Sequence, residues 1–150
     1  MKNLSLLLLL WMAASPAFAR EGAILESELS LSGIVIGKSP GEVASELGEP
    51  LHKVETSDFL SLHYDYPQVR VSFSDDAAAG LYSDNAAGCT PMQLCPGDRL
   101  DKMRSLYGTP VIADRDTGRF HEYYAANVTC WLQIAAKGKK ILSIAVACQP

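Results

Sequence analysis

The chain is short of basic residues. Thirteen Lys and Arg face 17 Asp and Glu among 150 residues, a formal charge of −4. Nucleic-acid binding relies on clustered cations that displace counterions, so that class is excluded. Histidine is scarcer still. His52, His63 and His121 do not stand in zinc-ligand spacing with the cysteines, which argues against a metal site. Catalytic signatures are also missing: there is no Gly-x-Ser-x-Gly, no His-Glu-x-x-His and no phosphate-cradling glycine loop. Asp75-Asp76 and Glu42 to Glu49 offer carboxylate pairs, but they read as a turn and a solvated helix face. The expectation is a protein that is not an enzyme and carries no cofactor. What remains is ordinary globular composition, 48% hydrophobic, 20% charged and 8% aromatic, which excludes disordered, collagen-like and coiled-coil chains.

The N-terminus reads as an address. Lys2 supplies a positive start, Leu4 to Met12 form an apolar run broken only by Ser5, and Ala17-Phe18-Ala19 after Pro16 is a small-x-small cleavage site. An uncleaved anchor is the alternative, but the run falls short of the ~20 residues a spanning helix needs. No later segment is long and apolar enough to span. Arg20, not Cys, follows the cut, so no lipid acceptor is expected there. The leader looks bacterial, which points to a periplasmic or secreted protein. Cys89, Cys95, Cys130 and Cys148 all lie beyond it, and an even count in an oxidising compartment reads as two disulfides. Three pairings are possible. Cys89–Cys95, closing a short loop around Pro91, with Cys130–Cys148, joining neighbouring strands, is the favoured one.

The chain repeats itself at an offset of 60 residues. Gly37 to Pro50 ends in Leu-Gly-Glu-Pro, Gly97 to Pro110 ends in Tyr-Gly-Thr-Pro, and Gly37, Gly48 and Pro50 fall on Gly97, Gly108 and Pro110. Tyr64 falls on Tyr124, and after a one-residue slip Val69-x-Val71-x-Phe73 falls on Val128-x-Cys130-x-Leu132. In the first copy Ser39, Pro40 and Glu42 compose a capping box, Val43 and Leu47 share a face, and Gly48 ends the helix. In the second, Asp98 is the expected cap and Leu100, Met103 and Tyr107 the apolar stripe.

Alternating apolar residues then predict strands over Leu60–Tyr64, Val69–Phe73, Phe120–Tyr124, Val128–Ile134 and Ile141–Cys148. Tyr66-Pro67-Gln68, Asp116-Thr117-Gly118 and Lys137-Gly138-Lys139 read as turns. Asp114-x-Asp116-x-Gly118 lacks the later ligands of a calcium loop. The sequon Asn127-Val128-Thr129 is read as chance. The expected class is α+β, two tandem helix-plus-antiparallel-sheet modules with the helices on one face. The parts are a signal peptide (1–19), an N-terminal segment (20–31), a first module (32–82), a linker with a disulfide loop (83–96) and a second module (97–150).

A helix ending in Leu-Gly-x-Pro, a hairpin with Tyr, a Val-x-Val-x-Phe strand and a final Ile-rich strand resemble the β-lactamase inhibitor protein-like (BLIP-like) superfamily. They are also similar to the small lipoproteins of the outer-membrane barrel-assembly machinery. The resemblance covers about residues 32–148. It implies a module that binds other proteins through the open face of its sheet. The missing lipid-acceptor cysteine counts against the lipoprotein branch.

Strand parity separates the two sheet faces. Leu62, Tyr64, Val69, Val71, Phe73, Val128, Cys130, Leu132, Leu142, Ile144, Val146 and Cys148 form the expected helix-facing set. The opposite face then carries His63, Arg70, His121, Tyr123, Trp131 and Gln133, the candidate partner-binding residues, rich in the types found at hot spots. A slip of one residue would exchange the faces. The alternative is that Trp131 and Tyr123 pack beneath Arg20 to Leu31. The expected function is a secreted inhibitor or immunity-type protein that occludes a partner enzyme, the partner being an envelope or toxin enzyme. An envelope assembly scaffold is the second reading. A small hydrolase using His63 or His121 is the third.

Overall fold

The computed structural model describes residues 20–149; the expected signal peptide, 1–19, lies outside them. Near the N-terminus, β1 (Ala23–Ile24) leads through a 3₁₀ turn at Glu26–Glu28 into a small hairpin of β2 (Ser30–Leu31) and β3 (Ile34–Val35). Helix α1 (Pro40–Leu47) is followed by β4 (His52–Glu55), β5 (Leu62–Asp65), β6 (Arg70–Ser74) and β7 (Ala77–Ser83). Helix α2 (Leu100–Tyr107) is followed by β8 (Val111–Arg115), β9 (Gly118–Ala125), β10 (Cys130–Lys137) and β11 (Lys140–Cys148). No helix among the described residues is long and apolar enough to cross a membrane.

The two helices start 60 residues apart, as the repeat predicts, but they are capped differently. Ser39 Oγ accepts from the Glu42 N–H at 3.3 Å while Glu42 Oε2 accepts from the Ser39 N–H at 2.8 Å, so the capping box closes. These hydrogen bonds from Ser39 hold the Glu42 carboxyl below the ordinary glutamate value. Arg99, not Asp98, is the N-cap of α2, and it makes no side-chain capping bond. Asp98 instead accepts from the Cys95 N–H at 2.8 Å and from Lys102 Nζ at 2.7 Å. Gly48 and Gly108 both end their helices at positive φ, +83° and +76°.

The expectation of two tandem modules is corrected here. Each half is a four-stranded meander, β4-β5-β6-β7 and β8-β9-β10-β11, but their last strands pair with each other. Val146 lies opposite Leu81 and Ala147 opposite Gly80. The result is one nine-stranded sheet, made mixed by β1, which runs parallel to β9. Strand predominates among the described residues, which hold two α-helices of eight residues each. A physical reason is that neither half can close a core alone. Helix α1 buries only Val43, and all the buried apolar residues form a single cluster.

Sequence periodicity missed β1 to β4, β7 and β8. Strand β4 is exposed at all four positions, and β7 is built mainly of small residues, so neither alternates visibly. Val128 lies ahead of β10, not in a strand. The stretch 83–96, read as a linker, packs into the core through Thr90 and Leu94. Both disulfides form as favoured, Cys89–Cys95 and Cys130–Cys148, the second between directly opposed residues of β10 and β11.

The N-terminal segment is tied in by backbone. Gly22 donates to the Thr109 carbonyl at 2.8 Å and accepts from the Tyr124 N–H at 2.6 Å. It turns at φ +66°, and a Cβ there would meet Val111 Cγ2 at 2.6 Å, so glycine is needed on both counts.

Candidate functional site

Register decides what each face of the sheet carries. The row Tyr64, Val71, Leu81, Val146, Leu132, Tyr123 crosses six strands and is buried throughout. Both helices lie on this side: Tyr66 Oη donates to the Gly48 carbonyl at 3.1 Å and Tyr123 Oη to the Gly108 carbonyl at 2.8 Å. These two bonds tie each helix C-terminus to the sheet by the same device. The next row faces the other way and contains His63, Ser72, Gly80, Ala147, Trp131 and Tyr124. Its neighbour on that open face contains Arg70, Tyr82, Ala145, Gln133 and Glu122.

Four of the six expected binding residues, His63, Arg70, Trp131 and Gln133, therefore share the open face. Tyr123 and His121 do not. Tyr123 is fully buried against Tyr107, ring centroids 5.4 Å apart, and burial raises its phenol. His121 pairs with Ile134 and Ile112 on the helix side, where burial, then the Arg104 and Arg119 charges, hold its ring below the ordinary histidine value. The parity error comes from the β9–β10 connection. Leu132 opposes Tyr123, so odd positions of β9 share a face with even positions of β10. The sequence reading places His121 and Tyr123 with Trp131 and Gln133, which requires equal parity in the two strands. A second slip is a bulge beside Ala135 and Ala136, which turns Ile141 into the core and leaves Leu142 exposed.

The corrected face holds a cluster that sequence reasoning missed. Glu122 is inaccessible to solvent. Its carboxylate accepts from Arg115 Nε at 3.0 Å, Arg115 Nη2 at 2.6 Å, Gln133 Nε2 at 2.9 Å and the Tyr124 hydroxyl. Burial works against the charge, but these donors, Arg115 first, keep the carboxyl below the ordinary glutamate value. The Arg115 guanidinium lies over the Trp131 ring at 5.1 Å from its centroid, and the Tyr124 ring is 6.1 Å from that indole. Trp131 Nε1 is buried without a hydrogen-bond partner among the described residues. An even-length connection between β9 and β10 was the sequence signal that would have put Glu122 and Tyr124 beside Trp131.

The first half of the same face is differently furnished. Arg70 Nε donates to Asp65 Oδ1 at 2.5 Å, with Tyr82 and Asp84 close by. His63 Nδ1 lies 2.8 Å from Ser72 Oγ. No carboxylate among the described residues hydrogen-bonds the His63 ring, so the acid that would orient a Ser–His pair is not supplied. His63 and Trp131 stand four strands apart, roughly 19 Å at usual strand spacing, and do not form one small site. No group of three or more metal-binding side chains converges among the described residues.

No family model matches the chain, and no curated protein matches it. Solved structures do. An extracellular protein containing an SCP domain from Bacillus anthracis str. Ames matches with a TM-score of 0.55 at 11% identity, over 76% of this chain and 44% of that one. A cysteine-rich secretory protein from Staphylococcus aureus subsp. aureus Mu50 matches with a TM-score of 0.59 at 12% identity, over 86% of this chain and 49% of that one. The chain thus spans about half the length of each. The expected kinship with the BLIP-like superfamily and the assembly lipoproteins is corrected accordingly: the likeness of fold runs to these two proteins. Those descriptions speak of the two neighbours; in this chain it is the two disulfides that point to a secreted protein.

Proposed function

We propose that the chain is a secreted protein-binding module, not an enzyme, and that it docks on a partner through the open face of its sheet. One observation carries the reading. Both helices cover the same side, and the other side presents Trp131, Tyr124, Arg115, Tyr82 and Arg70 with no helix of the described residues over them. Trp, Tyr and Arg supply most binding hot spots. Tyr82 is 43% exposed, although it sits near the middle of the sheet. In the finer reading the protein works in the bacterial periplasm as an inhibitor or immunity-type factor, and steric occlusion of a partner enzyme is the mechanism.

The test is capture of partners from periplasmic extract by the wild-type protein and by a Trp131→Ala, Tyr82→Ala variant whose fold is checked by circular dichroism. A partner held by the first and lost by the second is the expected result. A partner held equally by both places the surface elsewhere. Hydrolysis that depends on His63, on a folded background, would overturn the non-enzymatic reading.

A further inference from the structure

Within that docking face one corner is built differently from the rest, and its chemistry specifies what it receives. The guanidinium of Arg115 is fixed on two sides. Nε and Nη2 are spent on Glu122, Nη2 also reaches the Tyr124 hydroxyl at 3.2 Å, and the indole of Trp131 lies beneath the plane. Nη1 has no hydrogen-bond partner among the described residues, and the side chain is 38% exposed. The neutralising carboxylate, Glu122, is itself wholly shielded. A partner approaching this corner therefore meets a held cation with a free N–H pair, not a carboxylate. Arg70 offers no such contrast, since its charge is offset by Asp65 and by Asp84.

We propose that the Arg115–Trp131–Tyr124 corner receives a side-chain carboxylate of an acidic segment on the partner protein. The carboxylate accepts from Arg115 Nη1, and the segment packs on the exposed Tyr124 ring. Charge-assisted bonds from a pre-oriented guanidinium are among the stronger polar contacts, and little freedom is lost in making them here. The site rests on the docking reading above and adds the partner's chemistry to it.

Trp11 lies in the expected leader, so protein prepared without residues 1–19 has Trp131 as its single tryptophan, and its fluorescence reports this corner directly. The probe is a capped hexaglutamate peptide, with capped hexaglutamine as the neutral control, titrated into the processed protein at low salt. The expected result is a saturable change in Trp131 emission with hexaglutamate only. That change should weaken as salt is added. Affinity should fall about tenfold or more in an Arg115→Gln, Glu122→Gln variant, which keeps an amide pair in place of the ion pair. Arg99→Gln, at the exposed start of α2 and away from this face, should leave the affinity unchanged.

Three results would overturn the inference: no saturable change, equal binding of hexaglutamine, or a double variant that is folded and binds like wild type. A double variant that fails to fold is replaced by Arg115→Lys, which keeps the charge without the fork and should bind more weakly than wild type. Equal binding by that variant also counts against the proposal. A natural partner that is lost with Trp131→Ala, Tyr82→Ala but indifferent to Arg115 would reject the acidic segment while leaving the docking reading standing.

Discussion

The two faces of the sheet differ by one residue along every strand, and almost everything else follows from that offset. On the helix side, Tyr64, Val71, Leu81, Val146, Leu132 and Tyr123 make one continuous buried row. On the open side, the adjacent row runs through His63, Ser72, Gly80, Ala147, Trp131 and Tyr124. The first face is stabilised by apolar burial shared between the two halves. The second pairs its buried carboxylate locally, in the Arg115–Glu122–Gln133–Tyr124 cluster, while Trp131 Nε1 stays without a partner among the described residues. The helix face holds the molecule together, and the open face carries neither helix.

That contrast predicts a graded response to substitution. The largest effect belongs to the buried row. Leu132→Ala removes a fully buried side chain and should cost about 2–5 kcal/mol in urea unfolding. Arg115→Ala, on the open face, should cost less, about 1–2 kcal/mol. It strips the charged hydrogen bonds from Glu122, but it also lets water reach that carboxylate. Tyr123→Phe should cost about 1 kcal/mol by removing the bond to the Gly108 carbonyl while keeping the ring packed.

The smallest effect is one of pH. The folded Glu122 carboxyl titrates below its unfolded value, so its contribution is fully present above the unfolded value. It is lost as pH falls through the lower, folded one. Wild type should therefore lose more stability across that acid window than the Arg115→Gln, Glu122→Gln variant. Parallel pH profiles would show that the ion pair contributes nothing to this slope.

What could be read from the sequence was local. The capping box at Ser39 and Glu42, the stop at Gly48 and Gly108, the stripe of Leu100, Met103 and Tyr107, and the disulfide pairs are set by neighbours along the chain or across one hairpin. Other features depend on the whole sheet. Strand β4 is fully exposed, and β7 consists largely of Ala and Gly, so only their pairing partners define them. The joining of β7 to β11, which turns a repeat into one sheet, leaves no mark in periodicity. The site was half legible for the same reason. Trp131 and Gln133 were assigned the correct face, but the unseen parity of the β9–β10 connection exchanged Tyr123 for Tyr124 and hid Glu122.

Tyr82 on the open face and Ile112 on the helix side are both 43% exposed, which makes them matched reporters of which face meets a partner. A photo-crosslinking residue placed at each position in turn, in protein lacking residues 1–19 incubated with periplasmic extract, tests the proposed docking face most directly. One saturable adduct from position 82 and none from position 112 is the expected result. An adduct from position 112 alone would contradict it, and would move the binding surface to the side that carries the helices.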